Sequence, residues 1–377
     1  MPTLKPAASL SIEDLSALVT RCYEAYYVPV SFDAATYARM INAWNLDLER
    51  SRVVVADGRP VAIAMLGVRG TRGWIGGMGV VPEARGAGHG RAVMEAVLAE
   101  ARGAGVTQVD LEVLVQNSPA FRIYEALGFR DTRPLDVWIR AAAPAPLPSA
   151  FRVDDLPVSE AFAAHAGLHP VRSPWQRDLR SLERLAGPLR ALAVMQGGAI
   201  TACAIYRADP GKLQIFDIGS AAGAPVDAID AVLGAVLRVD PTSAAGLVNL
   251  APDDPAAHAF EALGFGVAHR QREMALVLQP ARMRASLAGR FLDAEGRLTQ
   301  WPTKRRDQTE ALELMAAHFT PGQFYSEREV NEMLNRSHTF GDWALLRRAL
   351  CDFGYLDRTG DGARYWRKET SSTSASS

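Results

Sequence analysis

The chain is poor in cysteine, in lysine and in long apolar runs, and each shortage narrows what it can be. Three cysteines (Cys22, Cys203 and Cys351) lie far apart among 377 residues, with no C-x-x-C and no histidine cluster nearby. An odd number at that spacing suits neither a disulfide framework nor a zinc site, so no metal site is expected. No stretch approaches the ~18 consecutive apolar residues of a membrane span, and the opening MPTLKPAASLSIEDL has no apolar core of a secretion signal. The expectation is a cytoplasmic protein without membrane contact. Only four lysines occur (Lys5, Lys212, Lys304 and Lys368) and alanine is abundant, which reads as coding bias and carries no function. Lys plus Arg number 41 against 42 Asp plus Glu, a net charge of −1. So even a balance gives no whole-molecule attraction to nucleic acid or anionic membrane.

The remaining composition, 48% hydrophobic and 22% charged, suits a globular protein with real cores. At roughly 150 residues per domain the length implies two or three domains. The uncharged, proline-rich run AAAPAPLPSA at 141–150 reads as a linker over 142–150, after a first domain at 1–141. A second break falls near Gln279 and Pro280, closing a domain at 151–280 and opening another at 284–369. The last residues, TSSTSASS at 370–377, have nothing to bury and are expected to be disordered.

The first two segments resemble each other. NSPAFRIYEALGF at 117–129 matches DDPAAHAFEALGF at 253–265 without a gap, an offset of 136, with seven of thirteen positions identical. The helical stretch RAVMEAVL at 91–98 meets DAIDAVLG at the same offset. Two copies of one fold are expected.

Chemistry concentrates in residues 74–103. WIGGMGVV reads as a strand that Pro82 ends, EARGAGHG as a glycine-rich turn, and the residues from Arg91 to Gly103 as a helix. A strand, a glycine turn and a helix N-terminus make an anion site. Gly86, Gly88 and Gly90 let backbone N–H groups converge, and the helix dipole adds positive potential. A pyrophosphate fits such a cradle. No Lys-Ser/Thr follows the glycines, and Arg85-x-x-Gly88-x-Gly90 differs from G-x-G-x-x-G, so neither common nucleotide motif applies.

VVPEARGAGHG at 80–90, followed by LEVLVQNSPAFRIYEALGF at 111–129, resembles the GCN5-related N-acetyltransferase (GNAT) family. The resemblance covers essentially all of residues 1–140. It implies an α/β (α+β) chain with two such mixed-sheet domains in tandem, and an acyl-CoA-dependent N-acyltransferase that takes acetyl-CoA as co-substrate. The strand is expected to bulge around Gly79, Val80 and Val81, freeing backbone groups for the pantetheine arm. The amides of Arg85, Gly86, Ala87, Gly88, His89 and Gly90 would take the pyrophosphate. Asn117 would touch the cofactor arm or order a water, and Tyr124 would protonate the departing thiolate. A phenol of pKa near 10 is protonated at neutral pH and suits that task. Ser118 is the expected N-cap of the helix bearing Tyr124, with Pro119 at N1. Many relatives carry a Glu on the signature strand, but Ile75-Gly76-Gly77-Met78-Gly79 has no acid. Glu24, Glu83, Asp110 and Glu112 lack any distinguishing spacing, so no base is assigned.

At the same offset the second copy has AAGAPV (221–226) for the cradle and Phe260 for Tyr124. It is expected to be inert and to shape an amine pocket for the first. Residues 284–369 show helices at 307–318, 326–336 and 342–353 and then a hairpin, a winged-helix pattern resembling a small bacterial domain of uncharacterised role. Lys304-Arg305-Arg306 and Arg347-Arg348 are basic clusters, but 14 Lys/Arg against 13 Asp/Glu leave this segment at +1. Protein contact or dimerisation is favoured there over DNA binding. The rival to an enzyme is an acyl-CoA-sensing transcription regulator. An intact Tyr124 favours the enzyme, because a sensor needs no proton donor. The expected partner is a small-molecule or peptide amine; its identity and the oligomeric state are not written in the pattern.

Overall fold

The computed structural model describes residues 2–24, 26–28, 31–144, 146, 149–169, 171–278, 287, 290–293, 296–319 and 323–368. They fall into two compact units: residues 1–69, 73–100 and 110–276 form one, and 70–72, 101–109 and 277–377 the other. The linker is described only in part, and the tail at 370–377 lies outside the described residues.

The first copy runs β1 (Thr3–Pro6), α1 (Ile12–Cys22), α2 (Ala34–Ala43), β2 (Arg52–Ala56), β3 (Arg59–Arg69) and β4 (Arg72–Val80), then α3 (His89–Gly103), β5 (Gln108–Leu114), α4 (Ser118–Ala126) and β6 (Arg130–Arg140). The second repeats that order: β7 (Val153–Leu156), α5 (Val158–Leu168), α6 (Leu179–Leu182), β8 (Arg190–Gln196), β9 (Ala199–Asp209) and β10 (Lys212–Ser220), then α7 (Val226–Val239), β11 (Ala244–Leu250), α8 (Ala257–Ala262) and β12 (Gly266–Val277). Local chemistry starts the helices where side chains can serve the free N–H groups. Ser11 accepts from the Asp14 amide at 3.0 Å ahead of α1, and Asp33 from the Thr36 amide at 2.7 Å ahead of α2.

All twelve strands join one sheet in the order β1-β2-β3-β4-β5-β12-β6-β11-β10-β9-β8-β7. Swapping the copies and reversing the list returns the same list. Each copy has therefore given its last strand to the other: β12 lies against β5, and β6 lies against β11. The two exchanged strands pair antiparallel down the centre, from Gly266 opposite Ile139 to Ala275 opposite Arg130. A boundary at residue 141 therefore separates the copies in sequence but not in the fold.

Packing follows the exchange. Trp138 on β6 is buried in the second copy's core among Ile215, Val232 and Phe260, its ring 5.9 Å from that of Phe260. In return Trp175 enters the first copy's core and stacks on Trp74 at 5.8 Å and 11°. Its indole N–H donates to the Trp44 carbonyl at 2.8 Å, and the Arg69 guanidinium covers its face at 4.1 Å.

In the other unit, α9 (Arg305–Ala316), β13 (Phe324–Tyr325), α10 (Glu327–Ser337), α11 (Trp343–Asp352), β14 (Leu356–Arg358) and β15 (Tyr365–Arg367) follow in that order, with a three-stranded sheet β13-β15-β14. Ser326 and Glu329 cap α10 reciprocally. The basic clusters are partly spent inside this unit: Arg347 pairs with Glu327, Arg306 with Glu310, and Arg305 lies over Phe353. Among the described residues no helix is long and apolar enough to cross a membrane.

Residues 1–141 expressed alone would leave β5 without its neighbour and Trp138 without its core. Removing a buried Trp alone costs about 3–5 kcal/mol, a large share of an ordinary domain's stability. We expect that fragment to show no cooperative unfolding by near-UV circular dichroism. A sharp two-state transition would show the copies to be independent.

Candidate functional site

The cradle forms where β4 ends. Gly86 and Gly88 take φ of +80° and +83°, left-handed values that a side chain disfavours. The backbone N–H groups of Gly86, Ala87, Gly88, His89 and Gly90 have no hydrogen-bond partner among the described residues. The first amide of the helix to be satisfied is that of Ala92, which donates to the Gly88 carbonyl at 3.1 Å. Gly90 also needs its missing Cβ, which would stand 3.3 Å from Ile123 and 3.4 Å from Val80.

One residue expected in the cradle, Arg85, and one expected at the pantetheine arm, Val81, are otherwise engaged. The Arg85 amide donates to the Pro82 carbonyl at 3.3 Å, because residues 82–84 form a single tight 3₁₀ turn. The Arg85 side chain instead clamps the loop to the end of α1, donating to the carbonyls of Val80 (3.2 Å), Cys22 (3.1 Å) and Glu24 (3.0 Å). The Val81 amide donates to the Val61 carbonyl at 2.9 Å and its side chain is fully buried, so it offers no free N–H for the pantetheine arm. Val80 and Gly79 do line the groove. Gly79 is needed for helix approach, since a Cβ there would stand 2.5 Å from Cys22 Cβ.

The groove encloses about 1200 Å³ between the cradle, the end of α1 and the start of α4. Cys22 lies on its wall, where burial pushes its thiol up to about 12, against the lowering pull of Arg85. Two further cavities adjoin the groove along a shared wall of Tyr23 and Met78. One, about 990 Å³, lies between β4 and β5 and is lined by Tyr124, Asn117, Glu112 and Gly77. The second copy closes it with Gln176, Val248, His269 and Gln271. A relay fixes that wall, Gln271 donating to Asn249 at 2.6 Å and Asn249 to Gln176 at 2.7 Å.

Asn117, not Ser118, caps α4. Its side-chain oxygen accepts the Ala120 amide at 3.3 Å, which places Ser118 as the first helical residue. Its amide nitrogen donates to the Tyr26 hydroxyl at 3.2 Å, so Asn117 fixes the wall between groove and cavity. Tyr124 is buried, tilted against Phe129 at 5.9 Å. Burial, with Tyr23 and Tyr26 near it, raises its phenol above the ordinary value, so it remains a proton donor throughout the neutral range.

Residue spacing missed Tyr23, Tyr26 and Glu112. The run YEAYY just past α1 held the signal for the tyrosines. Glu112 becomes distinct only in three dimensions: Trp74 Nε1 donates to its Oε2 at 2.8 Å, while Oε1 is closed to bulk solvent and has no hydrogen-bond partner among the described residues.

The second copy is plugged at the equivalent place. The offset between copies is 140 residues over β3–β4 and β9–β10 (Arg59 to Ala199), but 136 from α3–α7 onward (Gln108 to Ala244). The four residues are lost at the cradle. In the short loop that remains, the Ala224 amide is spent on Ala221 and Pro225 has none. Asp217 fills the space beside β10, bound to His169 at 2.8 Å and Arg177 at 3.0 Å. Burial alone would raise its carboxyl, but His169 and Arg177 hold it well below the carboxylate range. His165, His169 and Asp217 lie close enough to suggest a metal set. However, Arg177 already supplies the positive charge, and His165 Nε2 faces the Arg177 carbonyl at 3.1 Å as a donor, with no lone pair to offer. Phe260, at the Tyr124 position, is fully buried core.

Residues 12–129 match a family described as the acetyltransferase (GNAT) family. Residues 297–367 match a family described as an uncharacterised protein conserved in bacteria (DUF2087). A mycothiol acetyltransferase of Thermobispora bispora is 35% identical over 121 residues, 32% of this chain and 36% of that protein. The chain thus matches about a third of that relative's length. Among solved structures, a GCN5-related N-acetyltransferase from Sphaerobacter thermophilus aligns at a TM-score of 0.58 and 18% identity, over 73% of this chain and 95% of its own. A tandem GNAT protein from the clavulanic acid biosynthesis pathway aligns at 0.52 and 16%, over 74% and 98%. At those identities the shared feature is the fold.

Replacing Gly88 by Val puts a branched residue at φ +83° and crowds the cradle. We expect acetyl-CoA affinity by calorimetry to fall at least about tenfold, the equivalent of 1.4 kcal/mol. Unchanged affinity in a folded variant would make the loop structural only.

Proposed function

We propose that the first copy transfers the acetyl group of acetyl-CoA to a primary amine by direct attack in a ternary complex. The observation that carries this reading is the row of unpartnered amides at residues 86–90, on the floor of a groove that leads to the Tyr124 cavity. Those amides and the α3 dipole hold the pyrophosphate, and Gly79 and Val80 border the pantetheine arm. Holding thioester and amine in line supplies much of the rate. Tyr124 gives its proton to the thiolate as the C–S bond breaks. The second copy contributes walls, not chemistry.

Acetyl-CoA is expected to bind once per chain, and calorimetry resolving two equivalent sites would overturn this. Tyr124→Phe keeps the ring and removes the hydroxyl, an exchange that Phe260 already makes in the second copy. Stability and CoA affinity should hold, while kcat falls by about 10²- to 10⁴-fold, the usual worth of a positioned acid. Full turnover with intact binding would leave the protonation to solvent. Loss of binding as well would make the hydroxyl a cofactor anchor.

A further inference from the structure

The cavities beside the acyl-CoA groove have a one-sided chemistry. The smaller, about 660 Å³, lies over Gly76–Gly79 of β4 and is walled by Phe32, Tyr37, Met40, Trp44, Ile63 and Met65. Phe32 and Tyr37 stack at 5.8 Å and 29° to make one side of it. The other cavity holds Glu112 and is closed by Gln176 and Gln271. Among the described residues no Lys or Arg lines either one.

Two cations on and beside these strands are paired with other acids. Arg133 on β6 bonds both oxygens of Glu273 on β12, at 2.8 and 3.2 Å. Arg172 bonds Asp110 on β5 at 3.0 Å. Glu112 thus faces Glu273, Asp110 and the committed Arg133, with Tyr26, Tyr124 and His269 around the same cavity. A carboxylate or phosphate on an acceptor would enter with no counter-charge and against an acid, at the cost of a buried unpaired ion. An ammonium would meet a carboxylate oxygen that has no other partner among the described residues. An aliphatic or aromatic body would find the apolar cavity alongside, at about 25 cal/mol for each Å² it removes from water.

We infer that the acceptor is a primary amine with an apolar body and no anionic group, and that Glu112 takes the proton from its ammonium. This rests on the acetyl transfer proposed above. The ammonium gives one proton to the Glu112 carboxylate, which holds it through the transfer and releases it once the products have left and water re-enters the cavity. The freed nitrogen lone pair attacks the thioester carbon, the C–S bond breaks, and sulfur takes the Tyr124 proton. The nitrogen sheds its second proton back to the Tyr124 oxygenate, leaving a neutral amide, CoA thiol and an intact tyrosine. Burial first and then Glu273 push the Glu112 carboxyl up to about 8, the Trp74 hydrogen bond opposing them. Its anion therefore forms as pH rises through that value, while an alkylamine keeps its proton to about 10. Between those limits the pair is charged as the transfer requires.

The test is thiol release from acetyl-CoA with phenethylamine and with phenylalanine, which share a body and differ by a carboxylate, alongside calorimetry of acetyl-CoA. We expect kcat/KM for phenethylamine to exceed that for phenylalanine at least tenfold and to rise with pH towards about 8. Glu112→Gln, which keeps an acceptor for the Trp74 N–H, should retain acetyl-CoA affinity, lose about 10²- to 10⁴-fold in kcat and lose the pH limb. Trp74→Phe removes the donor that favours the anion, so its limb should move to higher pH. Equal use of phenylalanine, or acetyl-CoA binding with turnover of neither amine, overturns the acceptor class. A Glu112→Gln enzyme that keeps the limb, whatever its rate, overturns the role of Glu112, as does a Trp74→Phe limb that stays in place. Failure to bind acetyl-CoA would strike the proposed function itself.

Discussion

The exchange of final strands is the constraint on which the rest of the sheet depends. Strand β6 belongs to the first copy by sequence, yet Trp138 on it is core for the second, among Ile215, Val232 and Phe260. Trp175 repays the exchange by stacking on Trp74. Because Trp74 also donates to Glu112, the anchor of the second copy within the first lies one ring away from the candidate acceptor cavity. Burial that stabilises the pair thus also sets the electrostatics of the site: a carboxylate held against indoles loses hydration and holds its proton more tightly.

The two copies show what the cradle requires by what one of them lacks. Their β-hairpins are the same length, and Gly79 and Gly219 stand at the same place, each leaving room for the end of the preceding helix, at Cys22 and at Leu168. The difference is confined to the loop after that strand. With four residues fewer, the second copy cannot present a row of free amides, and the polar space beside it has closed over Asp217, His169 and Arg177. A buried ion network of that kind is costly to open, since removing one partner strands the others.

Much of this was legible in order along the chain. The strand ending before Pro82, the glycine turn, the helix from His89 to Gly103 and the third module's helices all depend on local chemistry: φ preference, caps and apolar spacing. The repeat was visible because EALGF, which ends α4 and α8 and runs into the following turn, recurs without a gap. Features that join distant residues were not legible. Strand exchange leaves the hydrophobic alternation of β6 and β12 unchanged, so nothing local marks which neighbour each will take. Glu112 reads as one acid among several until Trp74 and Glu273 are brought beside it. Arg85 and Val81 carried the family pattern, but the spending of their amides on Pro82 and Val61 is a matter of turn closure and strand pairing. The cap at Asn117 differs from the expected Ser118 by one residue, since Asn117 Oδ1 reaches the Ala120 amide.

The interlocked sheet also changes how this chain can be altered over time. A duplicate that has lost its cradle would ordinarily be free to erode or be deleted. Here the copy without a cradle supplies β12, Trp175 and the Gln176 wall to the other, so deleting it would dismantle the part that has one. Inheritance acts on the pair as one object: a change in the second half is felt in the sheet and core of the first.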